Sequence, residues 1–289
     1  MVLMNPTESA AVVDAPRAEQ PLPVKKVGKL SPRLAFIKPS FWLPVVVLLV
    51  ALGFLWNFVA KNNPYLLPPL SDVWGALAHN PSYYVSNAWS TLQVALIGLA
   101  IGFVAAYLIA ILVSELPLAK RAIMPLAVVL NVTPLVAIAP ALVIAFGFGP
   151  QPKLIVTALI CFFPILINVS TGLRSVPSQV LQVFTTLHAS RLEMLFHVRM
   201  PTALPYLFTA LRIVFPLSII GAVVAELSAP GAAEGLGTTI SIAFSNSQLA
   251  VVYAAIFCLA VLGSALLAII TAIERRALHW HESMLDNKS

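Results

Sequence analysis

Two ionisable side chains, Arg212 and Glu226, fall within long apolar stretches of this 289-residue chain. A charge at membrane depth marks either a functional site or a structural pair. The other polar groups at depth are neutral: Asn131, Thr133 and Asn168. Amides and hydroxyls of this kind can line a polar path or bond a neighbouring helix. Residues able to break bonds are missing. There is no His-Glu-x-x-His and no phosphate-cradling Gly-x-x-x-x-Gly-Lys-Ser/Thr. A Gly-x-Ser-x-Gly nucleophile turn is also missing. His79, His188, His197, His279 and His281 lie outside the apolar stretches without ligand spacing. His279 and His281 flank Trp280, and a solvated C-terminal tail accounts for them better than a metal tract. The expectation is therefore no catalytic residue, no metal and no bound cofactor, and a chain that is not an enzyme. If solute is moved uphill, a partner binds and hydrolyses the nucleotide.

The elements that hold these groups are membrane helices. Hydrophobic residues make up 60% of the chain and charged residues 10%, against about a quarter in soluble domains. About 20 apolar residues cross the hydrocarbon core as a helix. On that length the chain reads as an all-α membrane protein with six spans, roughly 41–59, 90–113, 123–146, 154–171, 205–227 and 249–273. The apolar runs are continuous, so a barrel of alternating strands is disfavoured. Cys161 and Cys258 both fall in spans and read as small apolar residues.

Lys and Arg set the expected orientation. Six spans put both termini on one side, together with Arg17, Lys25, Lys26, Lys29, Arg33, Lys38, Lys120, Arg121, Arg174, Arg191, Arg199, Arg275, Arg276 and Lys288. Lys61 and Lys153 alone fall opposite. The crowded side is read as cytoplasmic. The net charge of +6 then reflects membrane topology and calls for no nucleic-acid partner. Residues 1–40, with prolines at 6, 16, 21, 23, 32 and 39, read as a disordered tail and not as a signal peptide. The membrane-spanning body is 41–276, and 277–289 is a second cytoplasmic tail.

Several spans carry local signals. Trp56, Tyr65, Trp74, Tyr83, Tyr84 and Trp89 gather around the first external loop, as aromatics do at a membrane boundary. Gly98 and Gly102 are four apart and allow close helix packing, expected within this chain more than between copies. Pro134 and Pro140 predict a kinked third span. Arg212, about seven residues and so roughly 10 Å from the inner end, can snorkel to the interface. Glu226 lies near the outer end of its span. The Gly-rich stretch from Ser228 to Gln248 reads as a short fold-back helix.

Residues 174–204 are too polar for a bilayer and too amphipathic for a plain linker. Val180, Leu181, Phe184 and Leu187 fall at helical spacing. After His188-Ala189-Ser190 a second stretch places Leu192, Leu195 and Phe196 on one face. Ser190 and Glu193 have capping-box spacing, and Pro201 is expected to stop the helix. The segment reads as a cytoplasmic helix-turn-helix fit to dock in a partner's groove. The alternative is an interfacial helix touching only headgroups.

These residues resemble the permease subunits of type I ABC importers, in particular the nitrate/sulfonate/taurine-type group. That family's loop pattern is Glu-Ala-Ala, three residues, Gly, nine residues, Ile-x-Leu-Pro. Counting back from Pro201 sets Val198, Arg199 and Met200 on Ile-x-Leu, His188 on the glycine, and Gln182-Val183-Phe184 on Glu-Ala-Ala. Spacing and the Ala189-Ser190-Arg191 signature are kept while the Glu-Ala-Ala and Gly identities are replaced. Histidine accepts positive φ better than most non-glycine residues. Leu66-Leu-Pro-Pro-Leu-Ser-Asp-Val73, Thr133-Pro-Leu-Val-Ala-Ile-Ala-Pro140, Phe146-Gly-Phe-Gly149, Phe162-Phe-Pro-Ile-Leu-Ile-Asn168, Gly172-Leu-Arg-Ser-Val176, Ala225-Glu226 and Gly235-Leu-Gly237 extend the resemblance over about 65–275.

The resemblance implies a permease subunit of an ATP-driven importer of a small, anionic solute. Its implied partners are two ATP-binding subunits, a second permease copy, an extracytoplasmic solute-binding protein and the lipid bilayer. His188, Ala189, Ser190, Arg191 and Glu193 would contact the ATPase. Asn131, Thr133, Asn168 and Glu226 would line the translocation pathway. The rival is an ATP-independent secondary transporter or channel, for which inverted repeats and coupling charges would be expected. An assembly protein or an intramembrane enzyme is a further alternative.

Overall fold

The computed structural model describes residues 39–228 and 234–278, with side chains from residue 43 onward. The N-terminal tail, the stretch 229–233 and the C-terminal tail with His279 and His281 lie outside the described residues. Contacts divide the chain between Val47 and Leu48. The first unit, in its described part, is the opening of a single helix. All that follows belongs to the second.

Every described element is helical: α1 (Pro39–Asn62), α2 (Leu70–His79), α3 (Pro81–Glu115), α4 (Pro117–Val132), α5 (Leu135–Phe146), α6 (Pro150–Gly172), α7 (Ser178–Thr186), α8 (Arg191–Met194), α9 (Met200–Leu227), α10 (Leu236–Ser245) and α11 (Leu249–Ala277). Five helical runs are long and apolar enough to cross a membrane, and the bent pair α4–α5 makes a sixth if counted as one. The six-span reading holds on those terms. α3 begins well before residue 90, because Pro81 occupies a first-turn position and the Asn80 side chain accepts the Tyr83 amide at 3.3 Å.

The central layer is α6, packed between α3 and α9. Small residues set the spacing. A Cβ on Gly102 would lie 2.5 Å from the Ala158 carbonyl oxygen, and one on Gly98 the same distance from Thr157 Cβ. The paired glycines therefore serve a helix contact within this chain. Cys161, Ile165, Leu166, Val169, Ala106, Ala110, Ala210 and Val214 fill the core between the three helices, each fully buried. Arg212 does not simply snorkel: its guanidinium donates to Glu274 and joins α9 to α11. A buried carboxylate at 274 needs that partner.

The third span is broken, not kinked. α4 and α5 meet at 95°. Thr133 precedes Pro134 and takes an extended conformation (φ −69°, ψ 128°), as steric contact with the proline ring requires. Pro140 stays within α5. Pro134 thus makes the elbow.

The second expectation that changes is the stop at Pro201. Helix continues from Arg191 to Leu227 through a π-turn at Leu195–Arg199. Pro201 follows that π-turn directly, inside the continuous run, so it interrupts the regular hydrogen-bond ladder without ending the helix. The second arm of the 174–204 segment is therefore continuous with a span.

Candidate functional site

Two clusters concentrate the polar chemistry. The first is the turn between α7 and α8. α7 ends with the His188 amide donating to the Thr185 carbonyl at 3.0 Å and the Ala189 amide to the Phe184 carbonyl at 3.0 Å. This is the paired bonding of a Schellman turn, which demands positive φ at its central residue. His188 supplies it with φ 56°. Ser190 then starts α8. Its side chain accepts the Glu193 amide at 3.2 Å, and its own amide donates to Glu193 Oε2 at 2.7 Å. The capping box read from the spacing is formed. Glu193 precedes the apolar run that begins at Pro205. The Ser190 amide, and then its side chain, hold the Glu193 carboxyl below the usual carboxylate range.

The turn is stiff, and what it presents is apolar. Leu187, Leu192, Val183 and Phe196 are 72%, 66%, 58% and 57% exposed. His188, Ser190, Arg191 and Glu193 are exposed among them and Ala189 is half-buried. Behind this surface Leu195 and Val198 are buried in the core. Two basic groups fasten the segment to the last turn of α3. Arg174 donates to the Val113 carbonyl, and Arg199 Nη1 meets Glu115 Oε1 at 2.6 Å.

The second cluster surrounds Glu226, which is fully buried. The Thr91 hydroxyl donates to its carboxylate, 3.1 Å from each oxygen. The Gly237 amide donates to Oε2 at 2.8 Å. The Leu236 amide donates to Thr91 Oγ1 at 2.9 Å, and the Gly235 amide to Asn87 Oδ1 at 2.8 Å. Three successive amides at the start of α10 are thus satisfied by side chains of α3 and α9, with the carboxylate at the positive end of the helix. Glycine is obligatory here. A Cβ at Gly235, whose φ is 150°, would enter the carboxylate, and one at Gly237 would lie 2.7 Å from Glu226 Cβ. Lys153 is also buried.

The four pathway candidates are not gathered at one place. Asn131 and Thr133 stand at the α4–α5 elbow, where Thr133 Oγ1 donates to the Val129 carbonyl at 2.7 Å. Asn168 donates to the Pro164 carbonyl of its own helix at 2.8 Å. Glu226 is enclosed by α3 and α10. Sequence reading did not single out Thr91, Asn87, Glu115 or Glu274, whose partners lie far along the chain. Among the described residues no group of His, Cys, Asp or Glu could hold a metal ion.

Relatives place this architecture. The chain is 34% identical over 231 residues to the formylaminopyrimidine transport permease protein ThiX of Halalkalibacterium halodurans, covering 79% of this chain and 92% of that one. It is 30% identical over 274 residues to the riboflavin transport system permease protein RibX of Chloroflexus aurantiacus, covering 92% and 100%. To the taurine transport system permease protein TauC of Escherichia coli it is 29% identical over 248 residues, covering 83% and 90%. Residues 98–279 match the family of binding-protein-dependent transport system inner membrane components. The chain belongs to that family, the multi-pass inner-membrane permeases of type I ABC importers.

Proposed function

We propose that this permease imports a small solute at the expense of ATP hydrolysed by two separate ATP-binding subunits, which dock on residues 178–199. A second copy of the chain completes the pore, and an extracytoplasmic binding protein delivers the solute. The 174–204 segment and both termini are cytoplasmic in this reading, with residues 41–276 forming the permease domain. ATP-driven closure moves the paired segments and tips a two-state bundle from inward- to outward-facing. Asn131 and Thr133, at a break in a helix, border the path.

The observation that carries this reading is the α7–α8 turn. It is fixed by a Schellman turn and a capping box, yet it exposes Val183, Leu187, Leu192 and Phe196 beside His188 and Arg191. A rigid knob with an uncovered apolar tip fits a groove in another protein. The solute is a small anion of the nitrate, sulfonate or taurine kind. A pyrimidine-type vitamin precursor is the second reading, favoured by the similarity to the formylaminopyrimidine permease.

Co-expression with an ATP-binding subunit and affinity purification tests the docking. Ser190→Glu with Arg191→Glu should abolish co-purification without loss of the chain from the membrane. Undiminished co-purification counts against the assignment. Transport that persists with an inactive ATPase favours the ATP-independent rival. Mass spectrometry of the ligand on the cognate binding protein decides the solute.

A further inference from the structure

We propose that the Glu115–Arg199 ion pair is the positioning link that passes movement of the 178–199 segment into the membrane helices. The proposal rests on the functional reading above. It extends that reading from where the partner docks to how the displacement leaves the docking segment.

Arg199 closes the π-turn of Leu195–Arg199. A π-turn interrupts the regular α ladder and is a place where a helix can yield. Displacement of α7 and α8 could therefore be absorbed there, before it reached α9. The ion pair braces that weak point at its α9 end. Its 2.6 Å contact joins the end of the π-turn to the last residue of α3, and the two side chains are only 21% and 23% exposed. A charge-assisted bond so shielded is stronger than a surface pair. Arg174, just ahead of α7, grips the Val113 carbonyl in the same turn of α3. Both ends of the docking segment are thus tied to one helix end.

α3 cannot take up the motion by sliding. Gly98 and Gly102 let it press closely on Thr157 and Ala158 of α6, and farther toward its start Thr91 is bound to Glu226. α3 and the continuous Arg191–Leu227 helix are therefore joined at two places, by Glu115–Arg199 and by Thr91–Glu226. They move as a single body. The link acts mechanically, and neither residue needs to touch solute or nucleotide.

The test uses the full-length chain in lipid nanodiscs, alone and assembled with its ATP-binding subunits. Hydrogen exchange of residues 191–199 in the chain alone should be several-fold faster in Glu115→Gln and in Arg199→Gln. It should return to the wild-type rate in the charge-swapped pair Glu115→Arg/Arg199→Glu. In the assembled complex the purified binding protein should stimulate ATP hydrolysis several-fold for wild type and for the swap. For Glu115→Gln, which lies outside the docking segment, the stimulation should be lost, with basal hydrolysis and subunit stoichiometry unchanged. Unaltered exchange in the single variants, full stimulation in Glu115→Gln, or failure of the swap to rescue would each overturn the link. Failure of wild type to assemble with an ATP-binding subunit would sink the functional reading instead, and the exchange arm would still decide the link.

Discussion

Thr91 and Glu226, 135 positions apart, share one hydrogen-bonded knot in which the threonine hydroxyl donates to the carboxylate and accepts from the Leu236 amide. The knot fixes the start of α10 against α3 and α9. Removing Thr91 strands the Leu236 amide and part of the Glu226 carboxylate, and removing Glu226 strands the Thr91 hydroxyl and the Gly237 amide. Leaving a buried donor or acceptor unpaired costs about 1–3 kcal/mol. Thr91→Val and Glu226→Ala should each lower thermal stability of the purified chain by that order. The double variant should be less destabilised than the sum, since both changes break one network. Additive losses would show that the two residues act apart.

A second prediction concerns the α3–α6 contact. Gly102→Val would drive a side chain into the Ala158 carbonyl. Overpacking a tight contact costs about 1–3 kcal/mol. Folded yield and melting temperature should fall. Gly75→Ala, where nothing lies within 4 Å of the added carbon and alanine favours the helix, should lower neither.

At the α7–α8 turn, His188→Gly removes the steric cost of positive φ, about 1–2 kcal/mol for an L-residue. That substitution should keep or raise co-purification of the ATP-binding subunit. His188→Val, β-branched and ill suited to φ 56°, should reduce it. Equal capture by both variants would separate the turn's geometry from docking.

Glu193 gives the turn a pH dependence. Its carboxyl is held below the usual range by Ser190, so the ionised form is the one the fold favours. The capping box is therefore fully stabilising above the ordinary carboxylate pKa and weakens as pH falls through the lowered one. Amide exchange at 191–194, corrected for intrinsic pH effects, should accelerate on acidification in wild type. Glu193→Gln should flatten that response.

How far the sequence made these features legible depends on their range. The spans follow from runs of apolar residues, and the α7–α8 turn follows from a capping pair three residues apart. Both are local. Pro134 and Pro140 look alike in sequence, yet one makes an elbow and the other sits inside α5, because neighbouring packing decides whether the helix resumes. Pro201 misleads for the same reason. A proline that could stop a helix can equally be carried within one, beside a π-turn. Glu226 is conspicuous as a charge in an apolar run, but nothing near it in the chain announces Asn87 or Thr91. Glu115 and Arg199 look like ordinary boundary charges until the fold brings them to 2.6 Å.

The elbow at Thr133–Pro134 carries one more implication. Breaking a helix there strips carbonyls of their usual donors within an apolar stretch, and hydrocarbon has nothing to offer them. That side of the molecule cannot lie against acyl chains. It must be wetted or sealed by other polypeptide, and the bend thereby tells which flank of the chain is turned away from oil.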